Sequence, residues 1–124
     1  MPAYWPIVEG WVESALEHAD DLYSKEYIFA SLMNRDMQLW LILKDDKPIA
    51  CCVSKVNVYP IAKTICAFIV AGSDSDSWID ELTDTLSKFG KENGCSVIEA
   101  HGRMGWKKKL NGWKTTVNYS KEIQ

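Results

Sequence analysis

Apolar residues recur at Ile7, Val8, Trp11, Val12, Ala15, Leu16 and Ala19, the spacing of a helix that buries one side. Glu9, Glu13 and Glu17 share its other side. Pro6 suits the first turn, where a missing N–H leaves nothing unpaired. The pattern fades at Asp20-Asp21. Ser24 then suits the cap of a second helix, with Tyr27, Ile28, Ser31 and Leu32 facing inward and Asn34-Arg35-Asp36 ending it. Met37 to Leu43 is a short apolar run that reads as a strand. Asp45-Asp46-Lys47-Pro48 reads as a hairpin loop, and Ile49 to Val58 as the returning strand, its later part alternating Val56 and Val58 against Lys55 and Asn57. Tyr59-Pro60-Ile61-Ala62 turns the chain once more.

The stretch from Thr64 to Arg103 organises the rest. It predicts a hydrophobic strand (64–71), a polar loop Gly-Ser-Asp-Ser-Asp-Ser (72–77), an amphipathic helix and a second strand (95–101). Strand, crossover helix and strand make a βαβ unit, whose two strands are parallel neighbours. Ser77 with Asp80 reads as a capping box, Ile79, Leu82, Leu86 and Phe89 as the stripe that packs on the sheet, and Asn93-Gly94 as a left-handed terminator. Beyond it, Gly102 to Gly105 predicts a turn, Trp106 to Leu110 a short helix, and Trp113 to Ile123 a half-buried last strand. The expected fold is one α/β domain over 1–124: a mixed, mostly antiparallel sheet with one central parallel pair, flanked by helices.

Composition narrows the function classes. Hydrophobic residues make up 47% and charged residues 25% of the 124, ordinary globular values. No run is long and apolar enough to span a membrane, and the start, Met-Pro-Ala-Tyr-Trp-Pro, predicts no secretory leader. The four cysteines lie in apolar strand patterns without C-x-x-C spacing, so buried free thiols in the cytoplasm are expected and no metal site. Net charge is −3, which argues against a nucleic-acid partner. The charge is uneven, however: acids crowd residues 1–36, whereas Arg103, Lys107, Lys108, Lys109, Lys114 and Lys121 crowd the C-terminal end.

The element order, together with Gly-Arg-Met-Gly-Trp-Lys-Lys-Lys-Leu-Asn-Gly-Trp-Lys (102–114), resembles the GNAT (Gcn5-related N-acetyltransferase) fold, and in particular the small GNAT-like proteins of tailed bacteriophages. The resemblance covers nearly the whole chain in element order and only that segment in letters. It implies acetyl-CoA held between the two parallel strands, with its diphosphate on backbone amides of the loop after the central strand. By position that loop is Ala71, Gly72, Ser73, Ser75 and Ser77, with Arg103 as a further phosphate contact. The family loop runs Arg/Gln-x-x-Gly-x-Gly/Ala; here only Gly72 remains, and Asp74 and Asp76 sit where the diphosphate would lie. A carboxylate a few ångströms from a phosphate costs roughly 1 kcal/mol under partial screening.

The implied chemistry needs a base for the amine and an acid for the leaving thiolate. Glu99 and His101 share one strand face by period-two geometry, so they either flank the cleft together, with His101 the best single candidate for base or proton shuttle, or form a hydrogen-bonded pair on a polar face. The family's usual tyrosine is absent from residues 104–110, leaving Tyr119 as its substitute or as a packing residue. Cys66, with apolar neighbours and no adjacent base, reads as core rather than nucleophile. His18 reads as surface. The expected function is acetyl-CoA-dependent transfer to an amine of a small molecule or protein, in a phage-encoded protein of the host cytoplasm. The alternative is a GNAT-fold binding or virion-associated protein without turnover. A sheet edge left open after a single final strand predicts a homodimer or a phage or host protein partner covering it.

Overall fold

The computed structural model describes residues 4–17, 23–100, 112–114, 121 and 123. Helix α1 spans Trp5–Glu17 and α2 Lys25–Met33; strands follow as β1 Met37–Lys44, β2 Lys47–Val58 and β3 Lys63–Gly72, then α3 Ile79–Glu92 and β4 Val97–Ala100. The sheet order is β1-β2-β3-β4, antiparallel except for the parallel pair β3–β4. This is the predicted α/β architecture, with the βαβ unit in place. β4 is terminal in the described sheet. The final strand expected at 113–123 lies largely outside the described residues, and Trp113 and Lys114 themselves belong to no strand.

Two cores form, one on each side of the sheet. Opposite α3, Val12 and Ile28 pack on Met37, Val53 and Ile69. On the α3 side, Leu82 and Leu86 pack on Ala50, Cys52, Ile65 and Ala67. The stripes deviate from the expected ones at two places. Ile7 and Tyr27 are about half exposed, because each sits at the rim of its helix's apolar arc rather than at its centre. Ser24 caps α2 as predicted, accepting from the Tyr27 N–H at 3.1 Å. The acidic face of α1 has a partner: the Lys25 ammonium donates to Glu13 and Glu9, and these hydrogen bonds, Glu13 first, raise its pKa. That tie bridges the exposed sides of α1 and α2, whose inner faces share one core through Val12, Ile28 and Leu32.

The hairpin turn is tighter than expected. Asp45 and Asp46 both take positive φ (53° and 65°), a two-residue turn, so Lys47 and Pro48 already belong to β2. Val58 is exposed rather than alternating inward, since β2 has run past the helices that cover its earlier part. A bulge in β3 at Phe68, between the pairs Val53↔Ile69 and Ser54↔Ala67, switches which face successive residues address. Ile65 and Ala67 therefore join the α3 core while Ile69 joins the other.

Candidate functional site

β3 carries both halves of the candidate site, one at each end. Its first half is paired on both sides: Thr64, Ile65, Cys66 and Ala67 register with Val97, Ile98, Glu99 and Ala100 of β4. All four β3 residues are buried. Ile98 packs into the α3 core, so strand alternation sends Glu99 to the opposite face, with Thr64 and Cys66. There the Thr64 hydroxyl donates to Glu99 Oε2 at 2.6 Å, and the Tyr59 hydroxyl donates to the same oxygen at 3.3 Å. Glu99 Oε1 has no hydrogen-bond partner among the described residues. Burial, then the Glu99 charge, raises the Tyr59 pKa, so its phenol stays protonated.

Past Ala67 the described pairing with β4 stops, while β3 continues to Gly72 along β2. Gly72 has φ 133°, and a Cβ there would lie 2.3 Å from Ala50 Cα. Glycine is demanded by the sheet itself, whatever else the loop does. The next turn is closed by its own groups. The Ser73 N–H donates to Ile49 O at 3.1 Å, and the Trp78 indole donates to Ser73 O at 2.8 Å. Asp74 is left-handed (φ 61°). Ser77 lies in a single 3-10 turn, Ser75–Ser77, and its hydroxyl donates to Asp74 O and Asp74 Oδ2 rather than capping α3. The capping box at Ser77 is thus corrected: α3 starts at Ile79 after Trp78, with no side-chain cap, because Trp78 is drawn inward to 5% exposure and the serine is held by the turn.

Lys44, at the tip of the β1–β2 hairpin, lies 3.7 Å from Asp74 Oδ2. The loop therefore meets a cation, though none stands next to it in sequence. A diphosphate fits this segment by position, at the end of β3 and before α3; by charge it fits poorly, with Asp74 and Asp76 exposed beside it.

Of the predicted site residues, Gly72, Ser73, Ser75 and Ser77 are brought together in one turn at the end of β3, next to Ala71. Glu99 stands at the other end of the strand. Cys66 is excluded as a nucleophile: burial, and secondarily Glu99, pushes its thiol up to about 12, leaving no thiolate at neutral pH. His18, His101, Arg103, Tyr119 and Lys107 to Lys109 lie outside the described residues. No His/Cys/Asp/Glu group suited to a metal occurs among the described residues, and no described helix is long and apolar enough to cross a membrane. Sequence reading missed Tyr59, Thr64 and Lys44. Its only available signal was polarity: a threonine opening an apolar strand, and a tyrosine at a turn.

No family profile and no curated protein matches the sequence. Solved structures do match in shape. A probable acetyltransferase superposes with TM-score 0.71 at 10% identity, over 98% of this chain and 93% of that one. A predicted acetyltransferase from Clostridium acetobutylicum, solved with acetyl-CoA, gives 0.70 at 13%, over 98% and 90%. A GCN5-related N-acetyltransferase from Ralstonia eutropha gives 0.64 at 17%, over 80% and 72%. The chain has the fold of these acetyltransferases; identities this low carry fold and not activity.

Proposed function

We propose that the chain is an acyl-CoA-dependent N-acyltransferase acting on a primary amine. The observation that supports it best is the division of β3. Four residues, Thr64 to Ala67, pair with β4, the third of them opposite Glu99; five more run on to the polar turn at Gly72 to Ser77. Cys66, across from Glu99, is six residues from Gly72, about 20 Å along a strand, a span on the scale of an extended pantetheine arm. Acetyl-CoA, found with the Clostridium neighbour, would supply a thioester carbon for the amine nitrogen to attack, with the C–S bond breaking. Backbone amides of Gly72 to Ser77 would hold its diphosphate, with Arg103 as a further contact. Glu99, one oxygen fixed by Thr64 and Tyr59, accepts the amine proton at Oε1, with His101 as shuttle. Tyr119 is the proposed acid for the leaving thiolate. The phage origin and the host-cytoplasm setting belong to the same proposal and rest on the letters of residues 102–114 alone.

A second reading has its own support. The Ser77 hydroxyl and one Glu99 oxygen are already engaged within the chain, and two carboxylates stand in the turn, as in a GNAT-fold protein kept for binding a phage or host partner. Free-thiol release from acetyl-CoA over a panel of primary amines separates the two. The transferase reading expects turnover that Glu99→Gln lowers about 100-fold or more. It also expects His101→Ala to alter the rate profile between pH 6 and 8. No thiol release with any amine, while acetyl-CoA still binds, favours the binding protein.

A further inference from the structure

β1 is the outer strand of the described sheet on the side away from β4. An outer strand turns a row of N–H and C=O groups outward, and proteins ordinarily blunt it with charge, proline, a bulge or shortness. From Met37 to Leu43 β1 holds no charged residue and no proline. Its irregularity near Ile42 takes the extra residue from β2, at Ile49, so β1 itself is regular. Large apolar side chains stand exposed at both ends, Met33 at 45% and Leu43 at 56%. Charge is confined to the flanks: Arg35-Asp36 before the strand and Lys44-Asp45-Asp46-Lys47 after it.

We propose that β1 pairs antiparallel with β1 of a second copy of this chain, centred on Trp40, so that two four-stranded sheets become one. A twofold axis perpendicular to the sheet pairs odd positions with odd and even with even. The α1/α2 faces of the two copies then lie together, as do the α3 faces. The flanks select the register. Centred on Trp40, Asp36, the residue before the strand, comes beside the partner's Lys44 at the strand's last position, and this pair occurs twice. Centred on Leu41, Lys44 would face the partner's Gln38 without an ion pair, and Asp36 would run toward the acidic Asp45-Asp46 turn of the partner. Centred on Leu39, Arg35 and Asp36 would face Leu43 and Ile42, without an ion pair. The Trp40 register also sets exposed Leu43 opposite the partner's Met37, on the face where α2 ends at Met33. Lys44 keeps only a 3.7 Å contact with Asp74 within its own chain, both side chains being at least half exposed, and such a pair is weak enough to be shared. One strand pair buries less than a standard interface, so assembly depends on concentration.

Sedimentation equilibrium from micromolar to near-millimolar protein tests the assembly, and a cross-link tests the register. The expected result is a monomer–dimer equilibrium. Lys44→Glu weakens it roughly tenfold by setting like charges opposite each other, and adding Asp36→Lys restores it. In a Cys95→Ser background, Asp36→Cys with Lys44→Cys forms a covalent dimer under mild oxidation, whereas either substitution alone does not. A monomer throughout the range overturns the proposal. So does a dimer that ignores Lys44→Glu and gives no cross-link, which would place the contact on another surface.

Discussion

The two ends of β3 are built for opposite purposes. Between Thr64 and Ala67 every residue is buried, strands lie on both sides, and the polar groups present converge on one carboxylate oxygen. From Ala71 onward the chain surfaces into a turn of serines and aspartates that satisfies itself through Ser73, Ser77 and Trp78. Buried polar groups must be matched where they stand, so the first end fixes Glu99 rigidly. The exposed end can exchange its partners for a ligand's at small cost, because water already competes for them. A site that must position one group and still admit an anion needs both kinds of construction.

The largest expected effect falls where β3 ends and the turn begins. Gly72→Ala must place a Cβ on Ala50 and hold a positive φ, so we expect a loss of about 3 kcal/mol or more in chemical denaturation, or failure to fold. Leu86→Ala, removing a side chain 1% exposed beneath the first half of β3, costs about 3 kcal/mol. Gly72→Ala falling well below Leu86→Ala would show that the turn's backbone is more plastic than the contrast requires.

Alkaline pH probes the buried side next. Burial pushes the thiols of Cys51 and Cys66 from 9.0 up to about 12 and that of Cys52 in the same direction. A raised folded-state pKa means that the unfolded chain releases the proton first. The stabilisation is therefore complete below about pH 9 and is lost as pH rises from there toward 12, by up to about 1.4 kcal/mol per pH unit for each thiol. Denaturation midpoints should be level between pH 7 and 8 and fall above 9, less steeply in Cys66→Ala. In the native state a thiol reagent at pH 8 should find Cys95, half-buried, well before the three buried cysteines.

Much of this construction is legible in the sequence. Apolar periodicity marks α1, α2, α3 and β1 to β3 because each buries one face or a whole run, and Ser24 and Gly94 mark their helix ends because capping is local. Ser77 misleads for a related reason: a serine before a helix is an ordinary cap until a neighbouring tryptophan, held by Ser73 O, moves the cap and the start of the helix on by one residue. The Tyr59–Glu99 and Thr64–Glu99 bonds join residues 40 and 35 apart. They follow from strand register, which no local pattern specifies. Lys44 reaches Asp74 only because a two-residue turn projects the hairpin tip beyond Gly72.

Smaller effects sharpen the contrast at each end. Thr64→Val keeps the shape and removes one donor to Glu99, a loss of about 1–2 kcal/mol in stability. At the exposed end, Asp74→Asn should leave stability nearly unchanged and tighten acetyl-CoA binding about fivefold, the removal of roughly 1 kcal/mol of repulsion. Equal stability losses at Thr64 and Asp74 would erase the distinction between the two ends.

The most direct test of the acyl-CoA site on β3 is a thermal-unfolding titration of the wild-type chain with acetyl-CoA. Saturable binding should raise the midpoint progressively, reaching about 2.7 kcal/mol of added stability at 100 times Kd, with a larger rise in Asp74→Asn at the same concentration. A midpoint that does not move at millimolar acetyl-CoA, in the wild type and in Asp74→Asn alike, would contradict it.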